Sequence, residues 1–171
     1  MAVIVLLVLV IIVIIAVGKT PLTIKSHWQH FYDGYQISTT DFYTQVEAGL
    51  RNRKIQDLSY TQESFLQSHI FSAKRVYLRI TENEYVFYIC AAPFGTGTFI
   101  SWWLCIKDES FINKIPILSR MAGKDRSNKT FYQMDTEDMY KSVIHSTVVD
   151  VANSLTANTG FRLSELDRQF K

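Results

Sequence analysis

Three groups of residues in this 171-residue chain could do chemistry. The first is Pro93-Phe94-Gly95-Thr96-Gly97, followed by Thr98. Glycines so spaced can bring backbone N–H groups close to a phosphate, which makes this a candidate ligand or partner loop. It lacks the following helix and lysine of a P-loop. The glycines more simply supply the positive φ angles of a hairpin turn. The second group is a thiol, Cys90 or Cys105, with His69 or His145 as base. Both cysteines fall in aromatic-rich runs, where buried and inert thiols are expected. The third is His27 with His30, a metal pair that lacks a third ligand nearby. Glu47 and His145 each stand alone, an exposed helix carboxylate and a structural histidine. No G-x-S-x-G, H-E-x-x-H or paired-carboxylate spacing occurs. No catalytic, cofactor-binding or metal-binding residue is assigned, and the balance leans away from an enzyme.

The element that must position these residues is Lys74–Lys107. Arg75–Ile80 alternates, with Val76, Leu78 and Ile80 on one face. Tyr85–Ala92 is apolar on both faces, as expected of a central strand covered on two sides. Thr98–Lys107 follows the glycine turn. A turn between Glu82 and Asn83 sets Leu78 opposite Phe87. A turn centred on Gly95 sets Phe87 opposite Trp103, and Cys105 opposite Tyr85. The cysteines are then not partners. Trp102 and Trp103 point to opposite faces, one to the core and the other to a covering helix or a partner.

Around this meander, Leu58–Phe65 reads as a first strand. Ser38 caps a helix with Asp41 three residues on and a stripe of Phe42, Val46, Gly49 and Leu50. Arg51, Arg53 and Lys54 suit its C-terminal dipole. Thr130–Met134 reads as a short strand. Asp135 then caps a long helix striped by Tyr140, Val143, Ile144, Thr147, Val148, Val151 and Leu155, with Gly160 as its end.

Ala2–Val17 is an unbroken apolar run, and every charged side chain follows Gly18. As a helix it is roughly 25 Å long, near the 30 Å or so of a bilayer core. It reads as a membrane-spanning helix, with a cleaved signal peptide as the alternative. Lys19 and Lys25 place the domain in the cytoplasm by the positive-inside rule. Trp28, Phe31, Tyr32 and Tyr35 have the spacing of one helical face and read as an interfacial aromatic belt, or as rings docked on the core. Residues 108–129 mix apolar and basic side chains. They read either as a lid over the sheet or as a segment on anionic lipid, with Phe111, Ile112, Lys124, Arg126 and Lys129 joining Trp28 as membrane-surface contacts. The net charge of +2 gives no footprint for nucleic acid.

The expected organisation is therefore an anchor at 1–18, a juxtamembrane linker at 19–37 and an α+β domain at 38–171. That domain holds an antiparallel sheet of about four or five strands packed with two main helices. Ile89-Cys90-Ala91-Ala92-Pro93-Phe94-Gly95-Thr96-Gly97, with Ser101-Trp102-Trp103 and Asp135–Met139, resembles a group of uncharacterised bacterial single-pass membrane proteins. That resemblance implies the topology and carries over no catalytic residue. The expected function is a non-enzymatic interaction or scaffold module at the membrane surface with a protein partner. The alternative is a small enzyme or ligand-binding domain using the Pro93–Gly97 loop, for which His145, Glu47 and that loop must share a pocket.

Overall fold

The computed structural model describes residues 22–55, 57–65, 75–107 and 130–157. In chain order these form β1 (Leu22–Tyr32), α1 (Thr39–Asn52), β2 (Ser59–Phe65), β3 (Arg75–Glu82), β4 (Tyr85–Phe94), β5 (Gly97–Lys107) and α2 (Phe131–Thr156). The five strands make one antiparallel sheet in the order β1-β5-β4-β3-β2. The chain enters on one edge, and α1 carries it to the other. Both helices pack on one face, so the fold is α+β in two layers.

One expectation is corrected outright. Residues 22–32 are a strand and not part of an aromatic helix. Ser26, Trp28, His30 and Tyr32 lie opposite the core residues Leu104, Trp102, Ile100 and Thr98. The period is two, not 3.6, and the β-branched and aromatic content of this stretch suits a pleated surface. Trp28 is 4% exposed and belongs to the core, not to a lipid interface.

The membrane reading is corrected with it. Among the described residues no helix is long and apolar enough to cross a membrane. The Ala2–Val17 run, on which the single-pass topology and the cytoplasmic placement rested, lies outside the described residues.

The meander keeps its strands but changes register. Leu78 pairs with Ile89 and Ile80 with Phe87, two residues from the expected pairing. Asn83 adopts φ 48° in a two-residue turn with Glu84, and this shift of two preserves the faces. The β4–β5 turn is Gly95-Thr96, so Phe87 meets Leu104 and Tyr88 meets Trp103, a slip of one. Cys90 lies opposite Ser101 and Cys105 opposite Val86, and both thiols are free.

Ser38 caps α1, its hydroxyl accepting from the Asp41 N–H. Phe42, Val46 and Leu50 are fully buried, each contributing about 1.5–3 kcal/mol. α1 leans closely on α2 at Gly49, where a Cβ would come 2.9 Å from Thr147 Cγ2. α2 starts earlier than Asp135. Thr130 is its cap, with a reciprocal box to Gln133, so the expected strand at 130–134 is helix. The apolar stripe of α2 is buried from Ile144 to Val151, and Val149 and Ala152 widen it. Gly160 lies outside the described residues.

Tyr43 joins the layers. Its hydroxyl donates to Val76 O at 2.7 Å and accepts from Ala91 N at 3.2 Å. The β3–β4 ladder runs only from Glu82↔Tyr85 to Leu78↔Ile89. The tyrosine thus bridges the next position, Val76 and Ala91. Burial pushes its phenol well above the usual range for tyrosine. Burial, reinforced by Glu84 and Glu137, pushes Tyr85 up to about 12. A raised phenol favours the neutral form in the fold. This stability is complete below pH about 10 and is lost as pH rises through the folded-state values. Tyr43→Phe is expected to cost about 1–3 kcal/mol in urea unfolding at pH 7. It should also flatten the decline of stability above pH 10.

Candidate functional site

The glycine loop is occupied by its own structure. Gly95 takes φ 59° in the turn, where glycine is favoured. Gln36 Nε2 donates to Gly95 O at 3.1 Å, and Thr96 Oγ1 donates to Asp33 Oδ1 at 2.9 Å. A Cβ on Gly97 would stand 2.4 Å from Tyr32 O and 2.7 Å from Phe31 Cζ, so glycine is needed there for close approach to β1. Thr98 Oγ1 accepts from Ile37 N and donates to Tyr35 O, tying the β1–α1 connection to β5. Pro93 and Phe94 end β4, and Phe94 is 66% exposed with its edge against Phe31.

The pocket required by the ligand-binding alternative is not formed. His145 is buried in the core, where its Nδ1 accepts from Trp102 Nε1 at 3.1 Å and its ring meets Trp28 edge-on. Glu47 lies on α1 beside Arg51, at 3.7 Å. The loop lies at the β4–β5 turn, in a network of its own. A cleft of about 480 Å³ does lie between the helices, lined by Gln45, Gly49, Arg53, Thr147 and Asp150 among others. It holds none of the three, and its charges pair with each other, Arg53 to Asp150 at 3.1 Å.

His27 and His30 point to opposite faces of β1, as an odd spacing on a strand requires. His27 stacks on Trp103 at 4.7 Å, and His30 meets the Tyr32 ring edge-on. Among the described residues no three His, Cys, Asp or Glu side chains gather as a metal site. His69, Phe111, Ile112, Lys124, Arg126 and Lys129 lie outside the described residues.

Sequence reasoning underweighted the second face of the sheet, on which neither α1 nor α2 packs. Here β2 contributes Glu63 and Phe65, β3 Arg75, Tyr77 and Arg79, β4 Tyr88 and Cys90, and β5 Phe99 and Trp103. Phe31, Ile24 and Leu22 extend it across β1. Val86, Cys90, Ser101 and Cys105 are small and buried on this face. Phe65, Tyr77 and Tyr88 meet edge to face, with centroids 5.4 to 6.4 Å apart. Glu63 accepts from Arg79 at 2.8 Å and from the Tyr88 hydroxyl at 3.2 Å. Phe31, Phe65 and Phe94 stay 40%, 48% and 66% exposed, and Ile24 59%. The signal was present in the odd-numbered positions of Phe99–Cys105 and in Tyr77. It was obscured because a strand apolar on both faces suggests a second covering layer.

Burial raises both thiols above the usual range for cysteine, with Arg75 and Tyr77 partly opposing this at Cys90. A nucleophilic thiolate is disfavoured at both. Native protein at pH 8 is expected to resist alkylation by iodoacetamide at both cysteines, with full reaction in 6 M guanidinium. Rapid native labelling of either would refute the inert assignment. Gly97→Ala should lower stability by roughly 1–3 kcal/mol through the clash with β1, read as a fall in Tm. No protein-family model, no curated protein and no solved structure matches the chain. The resemblance to single-pass membrane proteins is therefore not sustained, and the fold stands on its own geometry.

Proposed function

We propose that this domain binds another protein through the face of its sheet opposite α1 and α2. Neither the membrane-surface module nor the Pro93–Gly97 ligand site is carried forward. The former has no spanning helix among the described residues, and the residues of the latter do not line the cleft between the helices. The observation that carries the reading is the collection of partly exposed rings and aliphatic side chains on one face: Phe31, Phe65, Phe94 and Ile24 around Tyr77, Tyr88 and Trp103. Contiguous exposed apolar surface marks an interaction site more often than a solvated one. Aromatic residues are the usual anchors of such sites. The carboxylate of this face, Glu63, is already paired, which fits a partner presenting apolar side chains.

The test is site-specific photo-cross-linking in the source cell. Benzoylphenylalanine at Phe31, Phe65 or Phe94 is expected to trap the same discrete protein. The same probe at Phe131, 88% exposed on α2, should not trap it. Combining Phe31→Ser with Phe65→Ser should cut recovery of that adduct from position 94 at least about tenfold. Adducts equal in kind and amount from Phe131, or none from the face, would refute the proposal.

A further inference from the structure

The two edges of the sheet are unequal. β1 carries a register shift between Ile24 and Ser26, with Lys25 at the irregularity. A bulge and a lysine both discourage further strand pairing. β2 has neither. Its seven residues, Ser59-Tyr60-Thr61-Gln62-Glu63-Ser64-Phe65, pair with β3 without a break. It contains no Pro, Gly or Lys. Its one charge, Glu63, is held on its own sheet by Arg79 and Tyr88. Among the described residues nothing pairs with its outer side. An unguarded edge of this kind is a template for another strand.

We infer that β2 pairs antiparallel with β2 of a second copy, about a two-fold axis at Gln62, joining two sheets into one of ten strands. The argument for a second copy is self-complementarity. An isologous contact must match a strand to itself. With Gln62 opposite Gln62, Thr61 faces Glu63 of the second copy, Tyr60 faces Ser64 and Ser59 faces Phe65. All seven positions are then used, and no like charges meet. An axis at Glu63 would oppose two carboxylates, which is destabilising. An axis at Thr61 would leave Ser64 and Phe65 overhanging. The Gln62 register also matches side-chain parity. Helices of both copies then lie on one side of the joined sheet, and both aromatic faces lie on the other.

The experiment uses the full-length chain. Gln62→Cys places two thiols opposite each other, with Cα atoms about 4.5–5.5 Å apart, within disulfide reach. Ser64→Cys separates its two copies by about 13 Å or more along the strands. Under mild oxidation Gln62→Cys is expected to form a covalent dimer at least about tenfold faster than Ser64→Cys. In sedimentation of the uncross-linked protein, Gln62→Lys should raise the dimer Kd about tenfold or more. Thr23→Lys on the β1 edge should leave it unchanged. Far-UV circular dichroism establishes that each variant folds. A wild-type monomer at roughly 100 µM would overturn the proposal and leave the edge to some other strand. So would equal cross-linking at 62 and 64, or an unchanged dimer in Gln62→Lys.

Discussion

The backbone of Ala91 is the point where the two layers become one structure. Beyond Leu78↔Ile89 the ladder between β3 and β4 stops. A buried peptide there would be left without its strand partner, at a cost comparable to a lost hydrogen bond. α1 supplies both halves of the replacement. The Tyr43 hydroxyl takes the Ala91 N–H, and the Thr39 hydroxyl donates to Ala91 O at 2.8 Å. Tyr43 also reaches across to Val76 O, so one side chain spans two strands. The position of α1 on the sheet is thus fixed by directional bonds as well as by Phe42, Val46 and Leu50. α2 in turn is seated by the contact of Gly49 with Thr147 and by the bond from Trp102 to His145.

This arrangement explains why the helical layer is polar in places yet firmly packed. Hydroxyls of threonine and tyrosine satisfy backbone groups at the interface, and the long apolar side chains fill the space between. The other face is built differently. Its small residues, Val86, Cys90, Ser101 and Cys105, sit low, while Tyr77, Tyr88 and Trp103 stand among them. The result is a broad aromatic surface rather than a cavity.

Much of the architecture was legible in the sequence. The Ser38 cap, the stripes of α1 and α2, the meander and the opposite placement of Trp102 and Trp103 follow from period and turn chemistry. What failed was local ambiguity. Trp28, Phe31, Tyr32 and Tyr35 satisfy a helical spacing, while Ser26, Trp28, His30 and Tyr32 satisfy a strand. A preceding apolar run tipped the reading toward the wrong period. The register of β4 on β5 slipped by one because the turn is Gly95-Thr96 and does not centre on Gly95. Gly97 was legible as a turn glycine, but its need for close approach to Tyr32 depends on β1 lying alongside. No local pattern encodes that. The same is true of the candidate surface, which exists only because both helices chose the other face.

The placement of β1 has a consequence for the order of events during synthesis. Leu22 pairs with Lys107 and Tyr32 with Thr98, so among the described residues the first strand to be made, β1, hydrogen-bonds only to the last, β5. The hairpins of β3, β4 and β5 close over two-residue turns, whereas β1 must wait for all of them and then close a long loop. Until β5 is complete, Trp28 has neither its strand partner Trp102 nor that strand's support for His145. The emerging chain therefore carries an unpaired aromatic strand until the 75 residues from Asp33 to Lys107 have been added. Lys25 and the irregularity beside it interrupt that strand, and they act as gatekeepers for the nascent chain as well as for the finished edge.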